Sequence, residues 1–211
     1  MTGVDLFEAR TMGVILLGVA VVHAYLALRG YLRHEPAIAA HFSPKGGCTE
    51  AVVTEVRAAR SEVLVMAYSF SCPDIANALA AAAARGVRVT VLLDRSNEAE
   101  TYSELGDLKR HRVEVWIDSC HAIAHNKVIV IDRRTVITGS FNFTRQAEHS
   151  NAENLLILRE HRALAARYRN NFHAHKSHCH APGTQPPHQH DHDRNHAHDH
   201  DHAHAHAHGG R

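Results

Sequence analysis

The chain has 211 residues, 45% of them hydrophobic, enough to bury one ordinary core in one domain with extensions. Its formal charge is +1, and residues 41–172 carry 17 Lys and Arg against 15 Asp and Glu, which excludes a uniformly basic nucleic-acid coat and makes any anion preference local. The cysteines Cys48, Cys72, Cys120 and Cys179 lie far apart with no C-x-x-C pair, which excludes zinc-ribbon spacing. Cys48, Cys72 and Cys120 read as buried free thiols, although export would permit a disulfide among them.

Residues 12–28, MGVILLGVAVVHAYLAL, are an apolar run broken only by His23. Two readings compete. As a secretory signal, the run has a suitable core and a later Ala37-Ile38-Ala39 with small-x-small spacing. As a retained anchor, it just reaches the ~17–25 apolar residues that cross a bilayer. Residues 1–40 are therefore expected to be a signal peptide or membrane anchor. The protein is accordingly expected to be exported to periplasm or extracellular space, or membrane-anchored through this segment.

A domain over residues 41–172 follows, entered by the turn-rich HFSPKGG. Val52, Val53, Val56 and Ala59 form one stripe of an amphipathic helix. EVLVMAYSF at 62–70 is a short continuous apolar run, suited to a strand buried on both faces. Ser71 with Asp74 three residues later suggests a cap, an alanine-rich helix follows, and Gly86 stops it. VRVTVLLD at 87–94 completes a βαβ unit with parallel strands. Asn97 and Glu100 suggest the cap of a further helix before the strand RVEVWID at 112–118. A hairpin over 121–143, a strand at 152–159 and a closing helix with Leu164, Tyr168 and Phe172 at steps of four complete the pattern. The expected fold is α/β, an αβα sandwich over a mixed, largely parallel sheet.

The hairpin HAIAHNKVIVIDRRTVITGSFNF holds the candidate chemistry. With Arg133 and Arg134 as a two-residue turn, Asp132 faces Thr135, Lys127 faces Ser140 and His125 faces Asn142. Directly opposed residues share a side of the sheet, as do residues two apart, so all four polar groups His125, Lys127, Ser140 and Asn142 converge. Arg-Arg is poor chemistry for a tight primed turn, and Gly139 is a candidate bulge, so the register depends on the loop. A neutral imidazole can attack phosphorus, an ammonium can neutralise an oxyanion, and Ser and Asn donors can complete a cradle for a tetrahedral phosphoryl group. No carboxylate cluster with metal-binding spacing accompanies them, so the chemistry points to metal-independent phosphoryl transfer. A single histidine on a strand would otherwise read as an edge residue.

HNKVIVID followed by GSFNF resembles the H-x-K-x(4)-D signature with trailing G-S-x-N of the phospholipase D superfamily. FSPKGG, AYSF, PDIANAL, RGVRVTVLLD and ITGSFNFTRQAEHSNAENLLIL extend the likeness, from about residue 42 to 159, to the superfamily's short bacterial endonucleases with one motif per chain. The resemblance implies that His125 is a nucleophile forming a covalent phosphohistidine. It implies that Lys127 and Asn142 bind the phosphate, that Ser140 supports the pocket and that Asp132 is structural. Glu153 would accept a hydrogen bond from the second ring nitrogen of His125. It further implies that a homodimer supplies the second histidine, the general acid that one chain lacks. His121 and His149 are the weaker alternatives for an acid within one chain.

A cradle that reads the phosphate admits nucleic acid and phospholipid alike. Arg133, Arg134, Arg145, Arg162, Arg167 and Arg169 suggest a nucleic-acid backbone track. The resulting expectation is an endonuclease on DNA or RNA, with a phospholipase D acting on phosphatidylcholine-type lipids as the alternative. No cofactor is expected. Residues 173–211 hold 14 of the 22 histidines and few apolar residues larger than alanine, so a disordered tail is expected. Its imidazoles, His196, His198, His200 and His202 among them, with a Cys179 thiolate, would bind Zn, Ni or Cu adventitiously. A function resting on metal binding by this tail is the third reading.

Overall fold

A computed structural model describes Met12 and residues 15–26 and 38–184. Residues 15–26 are helical (α1), with Ile15, Leu16, Leu17, Val21 and Val22 exposed. No helix among the described residues is long and apolar enough to cross a membrane. The remaining elements are β1 (Ile38–Ser43), α2 (Cys48–Ala58), β2 (Glu62–Ala67), α3 (Pro73–Ala84), β3 (Arg88–Asp94), α4 (Ser96–Ala99), α5 (Leu105–Arg110), β4 (Glu114–Asp118), β5 (Lys127–Ile131), β6 (Thr135–Gly139), α6 (Arg145–His149), β7 (Glu153–Leu158) and α7 (Arg162–Lys176).

The strands form one sheet in the order β1-β7-β6-β5-β2-β3-β4. The run EVLVMA becomes β2, and every residue of it is buried because it lies inside the sheet and is covered on both faces. Val63, Val65 and Ala67 join the core beneath α2 and α3, whereas Leu64 and Met66 meet Ala165 and Phe172 of α7. Burying a side chain such as Val65 or Leu64 contributes about 1.5–3 kcal/mol relative to exposure. The α/β layering is as expected.

The expectation of a largely parallel sheet needs correction. Only β2–β3 and β3–β4 are parallel, while β1–β7, β7–β6, β6–β5 and β5–β2 are antiparallel. Helical crossovers enforce parallel pairing in the first half. The hairpin and the short α6 connection reverse direction in the second. The entrance segment also supplies an edge strand, β1, which the turn-like HFSPKGG concealed.

Both helix caps differ from expectation. Cys72 stands at the N-cap of α3 without a side-chain hydrogen bond, and Pro73 occupies the first turn, where its missing N–H costs nothing. The Asn97 side chain is turned inward, its amide donating to the carbonyls of Tyr68 (2.6 Å) and Asp94 (3.0 Å). Cys48 and Cys72 are buried as expected and Cys179 is buried too, whereas Cys120 is exposed in the loop after β4, and no disulfide joins any of the four.

The expected boundaries shift at both ends. The division after residue 40 falls inside β1, and α7 runs past Phe172 to Lys176, with ordered chain continuing to residue 184. Ile117 and His180 exchange backbone hydrogen bonds of 2.8 and 3.0 Å, fixing that continuation against β4. Its histidine-rich composition hid a helix end that Phe172 and Cys179 bury. Residues 1–11 and 185–211, with most of the expected targeting segment and tail, lie outside the described residues.

Candidate active site

The hairpin pairs Ile131 with Thr135 and Val128 with Thr138, one residue away from the expected register. The turn is three residues long because Asp132 leaves the ladder. Its N–H donates to Glu62 O (2.9 Å), and its carboxylate accepts from the N–H groups of Arg60 (2.9 Å), Ser61 (2.8 Å) and Glu62 (3.1 Å) and from the Ser61 hydroxyl (2.8 Å). Asp132 takes φ 50°, a left-handed conformation that Asp tolerates. Burial alone would raise its pKa, yet these donors hold the carboxyl below its ordinary range. Asp132 is thus a clamp at the far end of β5 from His125.

Gly139 provides the expected bulge. The N–H groups of Ser140 and Phe141 both donate to Asn154 O, at 3.1 and 3.2 Å, the signature of an extra residue in the strand. A Cβ at Gly139 would lie 2.2 Å from that same oxygen, so only glycine permits the approach. The added residue compensates the one-residue shift on the way from the turn to Asn142. Beyond it, Phe141 and Phe143 are fully buried, which turns the intervening Asn142 to the other side of the chain. Phe143 O accepts from Ser71 and Cys72 (3.0 Å each), locking this segment to the end of β2.

At the other side of the site, Tyr68 N donates to Asn126 O (2.9 Å), carrying the β2–β5 ladder one step beyond Ala67–Lys127. His125 therefore sits just outside the strand with its side chain exposed, its ring 4.6 Å from the Tyr68 ring at 58°. Lys127 is 7% exposed; its Nζ donates to His125 O (3.0 Å) and stands 5.1 Å from the Tyr68 ring centre. Burial lowers the Lys127 pKa from the ordinary lysine value, opposed by the negative charge of Glu153. Asn142 Oδ1 is buried with no hydrogen-bond partner. Such an orphan marks a place where a further polar group is wanted, and a half-turn of the amide would present the Nδ2 donor there instead.

Ser140 Oγ accepts from Asn154 N (3.1 Å) and Nδ2 (3.2 Å). Glu153 accepts from Asn151 Nδ2 (3.1 Å), and no hydrogen bond joins it to the His125 ring among the described residues, in contrast to the expected pairing. His149 is exposed on α6, and His121 is held at Asp118, its Nδ1 3.1 Å from each carboxylate oxygen. Tyr68, the residue that contacts both His125 and Lys127, carried no individual signal in the sequence. Neither did Glu148, whose carboxylate accepts from Gly47 N (3.0 Å) and Thr49 N (2.7 Å) at the start of α2.

The arginine track does not assemble. Arg133 and Arg169 pair with Glu62 (3.6 and 3.1 Å), and Arg134 pairs with Glu160 (3.0 Å). Burial would raise the pKa of Glu62, but Arg169, Arg88 and Arg133 hold it below the ordinary value. The turn arginines lie beyond the far end of β5, at least about 13 Å from Lys127 at ~3.3 Å per residue. Arg145, which begins α6 three residues after Asn142, stays close to the site.

A second constellation lies at the end of β4. Asp118, His121, His175 and His178 offer ligand atoms that all fall within 4.8 Å of one another. Cys179 is excluded from this group, since its Sγ donates to His175 O (3.2 Å) and burial pushes the thiol up to about 12.

Fold and site together define an α/β protein carrying one His-x-Lys motif at the start of β5 in a mixed sheet. Residues 52–176 match the family described as Cardiolipin synthase, PLD-like domain, and the chain belongs to this phospholipase D-like family. It is 47% identical over 131 residues to a phospholipase D of Rickettsia felis, covering 62% of this chain and 65% of that protein. It is 38% identical over 117 residues to the mitochondrial cardiolipin hydrolase of Xenopus tropicalis, covering 56% and 55%. The chain thus spans less than two thirds of the length of these relatives. Among solved structures, the phospholipase D family member Nuc from Salmonella typhimurium superposes with TM-score 0.67 at 33% identity, over 69% of this chain and 97% of Nuc. NucT from Helicobacter pylori shares the fold, with TM-score 0.64 at 24% identity over 69% and 98%.

Proposed function

We propose that the protein is a phosphodiesterase that works through a phosphohistidine at His125, in a site completed by a second copy of the chain, and that its substrate is DNA or RNA. The observation that carries this reading is the exposed His125 ring seated on Tyr68 beside the buried Lys127 ammonium. A ring nitrogen of His125 attacks phosphorus as the bond to the leaving oxygen breaks, and Lys127 and Asn142 bind the non-bridging oxygens. The leaving oxygen takes its proton from the partner subunit's His125. That histidine then removes a proton from water, which attacks phosphorus, and the P–N bond breaks to free the nucleophile. Ser140 and Asp132 hold the segments, Glu153 supplies negative charge beside Lys127, and no metal takes part.

Exposed apolar residues at the β1–β7 edge support a contact with the second copy. Ile38, Phe42 and Leu156 are exposed by 64%, 65% and 38%. Their register places them on one side of the β1–β7 edge, where Phe42 stands opposite Asn154, the residue bonded to Ser140. An apolar patch there suits an isologous contact.

Nucleic acid is favoured by the open, exposed setting of His125 and by the likeness of the motif flanks to short endonucleases. Hydrolysis of phosphatidylcholine-type lipid is the second reading, favoured by the exposed apolar residues of α1 and by the likeness to the phospholipase D of Rickettsia felis. Purified protein incubated with plasmid DNA, RNA and labelled phospholipid in the presence of EDTA separates the two. Nucleic-acid cleavage that persists in EDTA and vanishes in folded His125→Asn is the expected result. Turnover of lipid alone would move the assignment to a phospholipase D, and turnover abolished by EDTA would overturn the metal-free chemistry.

A further inference from the structure

We infer that Asp118, His121, His175 and His178 form a divalent-metal site of the zinc class, remote in role from His125, that ties the end of α7 to the loop leading into the half-site. The four donors come from three separate pieces of chain. Asp118 ends β4, His121 lies in the following loop, and His175 and His178 lie one turn apart at the end of α7.

The two oxygens of Asp118 take different sets of partners, although His121 Nδ1 lies 3.1 Å from both. Oδ1 accepts from Cys120 N (3.1 Å) and His121 N (3.4 Å), which fixes the plane of the carboxylate. Oδ2 faces His121 Nδ1 (3.1 Å), His175 Nδ1 (3.1 Å) and His178 Nε2 (3.6 Å). Zinc binds nitrogen and oxygen at ~2.0–2.1 Å in a tetrahedron, whose ligand–ligand edges are then about 3.3–3.4 Å. The three separations bracket that edge.

An independent observation singles out His178. Its Nε2 is buried and has no hydrogen-bond partner, because 3.6 Å to Asp118 Oδ2 is too long for one. Leaving a buried imidazole nitrogen unpaired is unfavourable, and a metal ion between it and the carboxylate satisfies it. The ring centroids of His121, His175 and His178 lie 4.8, 5.1 and 5.5 Å apart, so three imidazoles crowd around one buried carboxylate. Three imidazoles and one carboxylate are a borderline-soft nitrogen and oxygen set, which zinc accepts and magnesium or calcium does not favour.

The position gives such an ion a structural task. The loop that starts at Asp118 ends at His125, and its later part is already held by Asp94, which accepts from Ala124 N (2.7 Å), and by Arg95, which donates to Ala122 O (3.2 Å). Metal at Asp118 and His121 fixes the beginning of the same loop and joins it to α7.

Full-length protein carries ten further histidines beyond residue 184, so the measurement compares single variants within the full chain. Protein loaded with Zn²⁺, dialysed against a competing chelator and analysed for metal is expected to retain one tightly held equivalent. His121→Ala and His178→Ala are each expected to lose it, and to lose the rise in melting temperature that Zn²⁺ gives the wild type. The His121 side chain is 44% exposed, so its removal deletes a ligand without opening the core. Co²⁺ in place of Zn²⁺ should give tetrahedral absorption bands in the wild type that are absent from His121→Ala. Equal retention of metal by wild type and both variants, or no tight equivalent in the wild type, overturns the assignment.

Discussion

At Lys127 two requirements oppose each other. On the proposed mechanism its ammonium must be charged to bind phosphate, yet its burial beside Tyr68 lowers its pKa, with Glu153 acting in the other direction. Because the folded value is depressed, the charged form is lost at a lower pH than for an exposed lysine, whose value is ~10.4. The expected consequence is an alkaline fall in kcat/KM that begins below the ordinary lysine range. In Lys127→Arg the guanidinium stays charged, so the residual activity of that variant should lose this fall even though its magnitude drops. A pH profile of both proteins checks this, and an unchanged alkaline limb in Lys127→Arg would assign it to another group. The residues of this patch were legible in the sequence because H-x-K and S-x-N each place two polar groups on one side of an extended chain. Tyr68 was not legible, since its role comes from the pairing of β2 with β5 across about sixty residues of intervening chain.

Among the elements, the β5–β6 hairpin shows where pattern reading stops. Alternation located both strands, but the turn could not be counted correctly, because Asp132 is drawn out of the ladder by N–H groups about seventy residues earlier. Gly139 then inserts an extra residue through its bulge, which offsets the one-residue error in register. The same kind of distance hid β1, an edge strand written in turn-like residues, and the Asp118 cluster, whose last two histidines lie in a segment that reads as tail. Asp132 has a direct consequence for stability. Its folded pKa is depressed, so its contribution is fully present above the unfolded value of ~3.9 and disappears as pH falls through the folded value. Asp132→Asn, which replaces the anionic acceptor of four donors with a neutral amide, should destabilise the protein by about 1–3 kcal/mol near neutral pH. Urea unfolding at pH 7 and again in strong acid checks this. The difference between wild type and variant should shrink in acid, and a constant difference would mean that Asp132 acts by shape alone.

For the whole molecule, the proposed mechanism needs a second copy of the chain, whose His125 must reach the phosphate held by the first. Nucleophile and acid then come from different chains, and neither chain can turn over by itself. Co-expression of wild type with His125→Asn in equal amounts tests this without any new contact being introduced. Random pairing leaves about a quarter of the dimers with two histidines, and the mixed dimers hold a nucleophile without its acid or an acid without its nucleophile. Turnover per total chain should therefore fall to about a quarter of the wild-type value, following the square of the wild-type fraction. A fall to about one half, in direct proportion to the wild-type fraction, would mean that each chain carries a complete site. In that event the acid must lie within one chain. His149, exposed on α6 near Arg145, would be the residue to substitute next, because His121 is engaged at Asp118.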